Sequence, residues 1–423
     1  MVTFLTLLLG VVWGPRQIDV GVPPGTAAVE IVVDGATAAT RYAPPWRFVV
    51  DLGPAPAPHT LDAVAYGPAG AELSRARQVV NLPKPEAEAV LALLPGSGGR
   101  GRTAHLGWEA VTGPQPLSLV VTFDGKPIPA ANPARIELPP FVPEQVHFLR
   151  ASLLFPNGVR TEADLTFGGR DRDETSKELT AVAVRLPRGK VPPLEAMAGW
   201  LEAGGAPLRV VAAEEGDARV VFVIDADGPD AFQSVRASVL FPDMIGNFSD
   251  PTAVRTMTAY AHTSPGSQTV YDVYLRSFPL NLRSGLLAAL AEESVSDPLA
   301  CPRYADAATA AGLLAAQWSH PRALVLVLTG NPDASILPAE HARSFLADLG
   351  VPLFVWVVGP GGSEAAAHWG QARIVKTRAQ FRAGFKELDA TLSEQRILWI
   401  EGTHLPQFIS VSATAPAGTA IAR

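Results

Sequence analysis

Arg219-Val-Val-Phe-Val-Ile-Asp225-Ala-Asp227-Gly-Pro229 and Arg322-Ala-Leu-Val-Leu-Val-Leu-Thr329-Gly330-Asn331 are solid apolar runs that stop at small and polar residues. A strand buried on both faces reads this way, because neither face is left for water and the alternation of a half-exposed strand disappears. Such strands suit the middle of a parallel sheet, and ligands of open α/β sheets bind at their carboxyl ends. Asp225, Asp227 and Thr329 are therefore expected on one strand-end surface.

Around these runs, strands alternate with helices. Val220–Ile224, Leu324–Leu328 and Pro352–Val358 are expected as central strands of a parallel sheet. Helices are expected over Pro229–Val239, Leu282–Ala291, Ala305–Gln317, Pro338–Leu349 and Ala379–Gln395. Val254–Ala261 and Thr269–Arg276 read as paired strands, Leu179–Leu186 as a strand, Leu194–Glu202 as a short helix, and Ile397–Ile400 as a strand closing the sheet edge. Alternating β and α elements with right-handed crossovers predict a doubly wound α/β sheet.

Upstream the pattern is different. Ala28-Val-Glu-Ile-Val-Val-Asp34-Gly35 ends in an Asp-Gly turn signal. Trp46–Gly53, His59–Tyr66 and Arg75–Leu82 follow as short strands between Pro and Gly turns, a spacing that suits a small β-sandwich. These residues resemble bacterial immunoglobulin-like modules. A second copy runs to Gly169: Leu119–Gly125 parallels Ile31–Gly35, and Gln145–Thr161 parallels His59–Leu73. His59 and His147 fall at matching places, which points to packing at a turn rather than catalysis. The expected fold class is thus tandem immunoglobulin-like β-sandwiches followed by a doubly wound α/β domain. The expected boundaries are a candidate signal segment (1–16), sandwiches (17–84 and 85–169), a linker with leading strands (170–207), the α/β domain (208–395) and C-terminal strands (396–423).

The 423 residues include 48% apolar and 18% charged types, the profile of ordinary globular domains. The net charge is −7 with no basic stripe, which argues against nucleic-acid partners. A single cysteine, Cys301, excludes an internal disulfide framework and reads as a small apolar residue. Val2–Trp13 is apolar and too short to span a bilayer. It has the length of a secretory signal core, although no Lys or Arg precedes it, and a first β-strand is the alternative. No later segment reaches membrane-spanning length. The expected location is secreted or periplasmic.

From Leu179 to Arg423 the chain resembles the bacterial VWFA-related proteins, which carry a von Willebrand factor type A (vWA) domain. The matching stretches are Val221–Pro229, Cys301–Ala307, Arg322–Asn331 and Val351–Gly359, with the tail Glu394–Ile400, Pro406–Val411 and Ala420–Arg423. The resemblance implies a metal-ion-dependent adhesion site at the strand ends. A hard cation such as Mg²⁺ needs an octahedron of oxygens at roughly 2.0–2.1 Å, some from water. The family takes an Asp and two Ser from one loop, a Thr from a second and an Asp from a third. Here Asp225 keeps the first carboxylate, Asp227 replaces one Ser, and Pro229 replaces the other. Pro302 stands for the Thr and Gly330 for the last Asp, while Thr329 persists beside it. Asp306 matches an acidic helix-start position that is not a direct ligand.

Two readings follow from this donor set. In one, Asp225 and Asp227 with water form a remodelled cation site. In the other, metal binding is lost and Asp225 serves as a helix cap or strand-end acceptor; this is the expectation adopted, with no cofactor. The strand-end surface near Asp225, Asp227, Pro302 and Asn331 is then a candidate contact for a protein partner of unknown identity. The expected function is a non-catalytic extracytoplasmic interaction or adhesion protein. Alternatives are a metal-dependent adhesion protein and an enzyme with an unrecognised site. No nucleophile elbow, phosphate-binding Lys loop or His-Glu-x-x-His helix is present. Gly359-Pro-Gly-Gly-Ser363 lacks a Lys and reads as a plain loop.

Overall fold

The computed structural model describes residues 2–6, 8, 10–23, 25–83, 87–93, 103–110, 115–142, 146–155, 160–168, 179–186, 191–214, 218–236, 252–263, 269–278, 285–291, 302–317, 320–359 and 361–423. Cys301, most of the charged linker before Leu179, and the last turn expected for the helix after Pro229 lie outside these residues. The chain divides into two compact units, residues 1–83 with 179–423, and residues 84–178.

The N-terminal part of the first unit is a sandwich of seven strands. They are β1 (Thr3–Phe4), β2 (Pro15–Gly21), β3 (Ala28–Val33), β4 (Ala36–Arg41), β5 (Arg47–Asp51), β6 (His59–Tyr66) and β7 (Glu72–Val80). One sheet has the order β1-β2-β5 and the other β4-β3-β6-β7. Inward residues of both sheets, among them Ile18, Ile31, Phe48 and Leu61, form one core. The segment weighed as a signal core is part of this sandwich. Val2 and Leu8 are buried in it, and their backbone N–H groups donate to Ser74 Oγ and Gln78 Oε1, both at 2.8 Å. The alternative reading, a first β-strand, describes Thr3–Phe4.

The second unit repeats the plan with β8 (Ala87–Leu93), β9 (Thr103–Ala110), β10 (Ser118–Phe123), β11 (Lys126–Ile128), β12 (Ile136–Glu137), β13 (Val146–Leu154) and β14 (Arg160–Gly168). The sheet orders β8-β9-β12 and β11-β10-β13-β14 match those of the first sandwich strand for strand, seven elements later. The repeat extends to one side-chain device. Asp34 and Asp124 open Asp-Gly hairpin turns with φ of 50° and 47°, and the glycines follow at 83° and 77°. Two successive positive φ values define the turn that matches strand twist, and Asp and Gly are the residues that tolerate them. His59 Nδ1 lies 2.7 Å from Asp34 Oδ2, and His147 Nδ1 lies 2.8 Å from Asp124 Oδ2. Their Nε2 atoms reach the carbonyls of Leu52 and Val142 at 3.2 and 2.9 Å. Each histidine thus ties a turn to a neighbouring loop.

The His147 latch carries a pH prediction. Burial pulls the imidazole pKa down, but the hydrogen bonds to Asp124 and to the Val142 carbonyl outweigh it and leave the group above its ordinary value. A raised folded pKa contributes stability below the unfolded value, about 6.5, and that contribution is lost as pH rises through the folded value. The unit of residues 84–178 is expected to melt higher at pH 5.5 than at pH 8. Asp124→Asn, which tolerates the same backbone conformation, should flatten the difference. An unchanged pH profile in that variant, followed by thermal denaturation, rejects the latch as its source.

The rest of the first unit contains β15 (Leu179–Arg185), β16 (Leu201–Ala203), β17 (Ala206–Pro207), β18 (Val210–Glu214), β19 (Ala218–Ile224), α1 (Gly228–Arg236), β20 (Thr252–Thr263), β21 (Thr269–Phe278), α2 (Leu286–Ala291), α3 (Tyr304–Ala316), β22 (Arg322–Leu328), α4 (Ala339–Asp348), β23 (Leu353–Val357), α5 (Gly362–Ala365), β24 (Ala372–Ile374), α6 (Arg378–Glu394), β25 (Gln395–Glu401), β26 (Ile409–Val411) and β27 (Ala420–Ile421). A six-stranded sheet has the order β21-β20-β19-β22-β23-β24. β19 is parallel to both β20 and β22, so the two opening runs are neighbours. Alternate residues of β22 face opposite ways. Leu324, Leu326 and Leu328 pack with α3 and α4, while Ala323, Val325 and Val327 pack with α1, α2 and α6. Arg322 opens this strand fully buried, and burial draws its guanidinium pKa down to about 10. It donates from Nε and a terminal nitrogen to the carbonyls of Gly350 and Leu349, at 3.1 and 3.0 Å, and so caps the end of α4.

The expected fold class requires correction. A doubly wound vWA-type domain after the two sandwiches does not describe this chain. Strands dominate it, with 27 strands against six α-helices among the described residues. The helix-flanked sheet is one of seven sheets among the described residues and is not parallel throughout, because β21 runs antiparallel to β20. Ile397–Ile400 does not close its edge. β25 instead lies between β15 and β18 in a separate antiparallel sheet. The helix expected over Leu194–Glu202 is a 3₁₀ turn at Leu194–Met197, and its last residues enter β16. The physical reason is pairing over long sequence separation. Apolar alternation marks a strand but says nothing about its partner.

Candidate functional site

The carboxyl ends of β19 and β22 bring Asp225, Asp227, Thr329 and Asn331 together. Asp225 is fully buried, and Asp227 is exposed. Asp225 Oδ2 accepts hydrogen bonds from Tyr304 Oη at 2.5 Å, from Thr329 Oγ1, and from Asn331 Nδ2 at 2.8 Å. The same Asn331 nitrogen lies 2.9 Å from Asp227 Oδ2 and 3.3 Å from Thr329 Oγ1. Asp225 Oδ1 is buried with no hydrogen-bond partner among the described residues. The side chain is therefore a strand-end acceptor and not a helix cap. α1 starts instead with the Gly228 N–H donating to the Asp225 backbone carbonyl at 3.2 Å.

The remaining predicted positions serve the scaffold. Pro229 is buried in the first turn of α1, where its missing N–H costs nothing. Pro302 is buried, and its carbonyl accepts from the Ala334 N–H at 2.8 Å. Asp306 accepts from the N–H groups of Ile336 and Leu337 at 3.1 and 3.0 Å. Sequence reading missed the reciprocal half of this contact. Asp333 Oδ1 takes the Tyr304 N–H at 2.9 Å, and Ser335 Oγ takes those of Ala305 and Asp306 at 2.8 and 3.2 Å. A loop about thirty residues away thus caps α3. It missed Tyr304 as well, although a tyrosine opening an alanine-rich helix just before Asp306 was a legible signal.

The donor set does not fit a divalent cation. The orphaned Asp225 Oδ1 is the one feature in favour, since a buried oxygen without a donor has a lone pair to offer. Against it, Pro229, Pro302 and Gly330 supply no side-chain oxygen. Gly330 cannot be replaced by a ligand without rebuilding the loop. Its φ is +119°, and a Cβ there would lie 2.7 Å from the Gly361 Cα. The Asn331 amide already fills the donor role toward both carboxylates.

Beside this cluster is an open cavity of about 700 Å³. Tyr304, Asn331, Asp333, Ile336, Glu364 and Trp369 contribute to its walls. Ile336 is 70% exposed, while Trp369 is buried.

No family model matches the chain, and no curated protein matches it. Among solved structures it is similar to the fibronectin(III)-like modules of Clostridium thermocellum CbhA, at 16% identity and TM-score 0.17, over 40% of this chain and 94% of that one. It is similar to the central fibronectin-III array of RIM-binding protein, at 13% identity and TM-score 0.22, over 44% and 77%. It is also similar to the Bacteroides ovatus mixed-linkage glucan utilization locus protein SGBP-B, solved with a mixed-linkage heptasaccharide, at 12% identity and TM-score 0.15, over 50% and 58%. The first two are fibronectin-III-type β-modules, and none of the three is described as a vWA domain. Among the described residues no helix is long and apolar enough to cross a membrane.

Proposed function

We propose that the chain is a non-catalytic interaction protein that meets a protein partner through the strand-end surface at Asn331 and Ile336. The observation that carries this reading is the commitment of Asp225. Its Oδ2 takes three side-chain donors, so the one buried carboxylate at the strand ends supports the scaffold instead of acting on a ligand. The adjoining cavity and the exposed Ile336 supply the contact surface. Kinship with the bacterial VWFA-related proteins belongs to the proposal at the level of the strand-end segments, with Asp225, Asp227 and Thr329 as counterparts of that family's site oxygens. Extracytoplasmic location belongs to it as well. Location rests on the kind of modules. Fractionation of the native host tests it, and a chain confined to cytosol rejects that part.

The surface is tested by affinity capture from envelope extract with the native chain and with Ile336→Asp. A specific protein held by the first and lost from the second is the expected result. Equal recovery by both rejects this surface. Ile336 is exposed, so the substitution itself is expected to change stability by no more than about 0.5 kcal/mol.

A further inference from the structure

We propose that Asn331 is a built-in occupant of the strand-end oxygen cluster, its amide nitrogen standing where a divalent cation would otherwise bind. The inference rests on the reading that native metal binding is lost, and it gives that loss a residue. Three oxygens from two strand ends converge on one atom: Asp225 Oδ2 at 2.8 Å, Asp227 Oδ2 at 2.9 Å and Thr329 Oγ1 at 3.3 Å. Two of them belong to carboxylates. Groups of like charge brought to one point need a positive partner between them. An amide N–H₂ offers two donors with partial positive charge and no acceptor on that nitrogen. Its two hydrogens match the two carboxylate oxygens, with Thr329 Oγ1 as a longer third contact at 3.3 Å, all at hydrogen-bond distances longer than the roughly 2.0–2.1 Å that Mg²⁺ requires.

Geometry explains why the replacement sits at position 331. The preceding residue is held against the Gly361 backbone, where no side chain fits. Beyond Thr329, the next position that sends a side chain to Asp225 is therefore 331. There an amide closes the cluster, whereas a carboxylate would complete it. In Asn331→Asp, the new carboxylate would join the side chains of Asp225, Asp227 and Thr329 as oxygen donors, and water could supply the rest of an octahedron.

The test compares thermal melts of the full native chain, Asn331→Asp and Asn331→Ala, each without metal and with Mg²⁺ or Mn²⁺. The native chain is expected to show no metal-dependent shift. Asn331→Asp is expected to melt lower than native without metal and to recover by about 3–6 °C at saturating Mn²⁺. Asn331→Ala removes the occupant without adding a charge and is expected to respond more weakly. It keeps the test decisive if the aspartate variant does not fold. A native chain that is itself stabilised by metal overturns both this inference and the reading of lost metal binding. Silence of the native chain together with both folded variants overturns the occupant role of Asn331 alone.

Discussion

Gly359→Ala is expected to destabilise the unit of residues 1–83 and 179–423 by about 4 kcal/mol or more. A Cβ at this position would lie 1.8 Å from the Thr329 carbonyl oxygen and 2.5 Å from its carbon. Both are backbone atoms at the end of β22, so no rotamer change relieves the overlap. The same close approach recurs nearby: a Cβ on Gly362 would meet the Leu328 oxygen at 2.6 Å, and one on Gly330 the Gly361 Cα at 2.7 Å. The two strand-end loops are therefore in backbone contact, and relief requires pulling them apart. That movement also strains the Val358 N–H to Leu328 carbonyl bond at 3.0 Å. Gly228→Ala is the control. Its added carbon would find Ile224 Cβ at 3.4 Å, and the change is expected to stay within about 1 kcal/mol. Urea denaturation distinguishes them. Equal midpoints for the two variants reject the packing argument.

Asp225→Ala is the second large effect, expected at about 3–5 kcal/mol. The loss exceeds that of a helix cap, about 0.5–2 kcal/mol, because three donors depend on one oxygen. Tyr304 and Thr329 are buried and would lose this acceptor. Asp225→Asn keeps the shape and one acceptor oxygen, and it should fall between native and alanine. Tyr304→Phe removes one of the three bonds and should cost about 1–2 kcal/mol. The denaturation transition of residues 84–178 should not move in any of these variants, which supplies an internal reference. A loss below about 1 kcal/mol in Asp225→Ala means that the cluster is not the strand-end anchor described above.

Local chemistry was legible without coordinates. The Asp34-Gly35 signal is a hairpin turn because two positive φ values in sequence select those residue types. The second sandwich was readable as a copy of the first, down to the paired positions of His59 and His147, because a repeated pattern needs no knowledge of partners. The runs ending at Asp225 and Thr329 announced buried strands, because a stretch without a polar face has to be covered on both sides. That Pro229 and Pro302 offer no side-chain oxygen is plain from residue type, while their standing at ligand positions was only what the vWA resemblance implied.

Only the tertiary structure decided what those residues do together. Pairing of β15 and β18 with β25 joins segments far apart in the chain, and no periodicity in either segment names the other. The N-terminal apolar stretch could not be separated from a signal core by composition. Only the tertiary structure shows Val2 and Leu8 buried against the distant strand that carries Ser74 and Gln78. Asn331 was placed on the strand-end surface as a candidate partner contact, and only folding showed its amide bonded to Asp225 and Asp227, far earlier in the chain. Gly330 looked like a missing ligand, and the Gly361 backbone packed against it shows why no ligand can stand there. Residue type sets which contacts a side chain can make. Which groups arrive to make them is set by strand pairing and loop packing, which are properties of the whole chain.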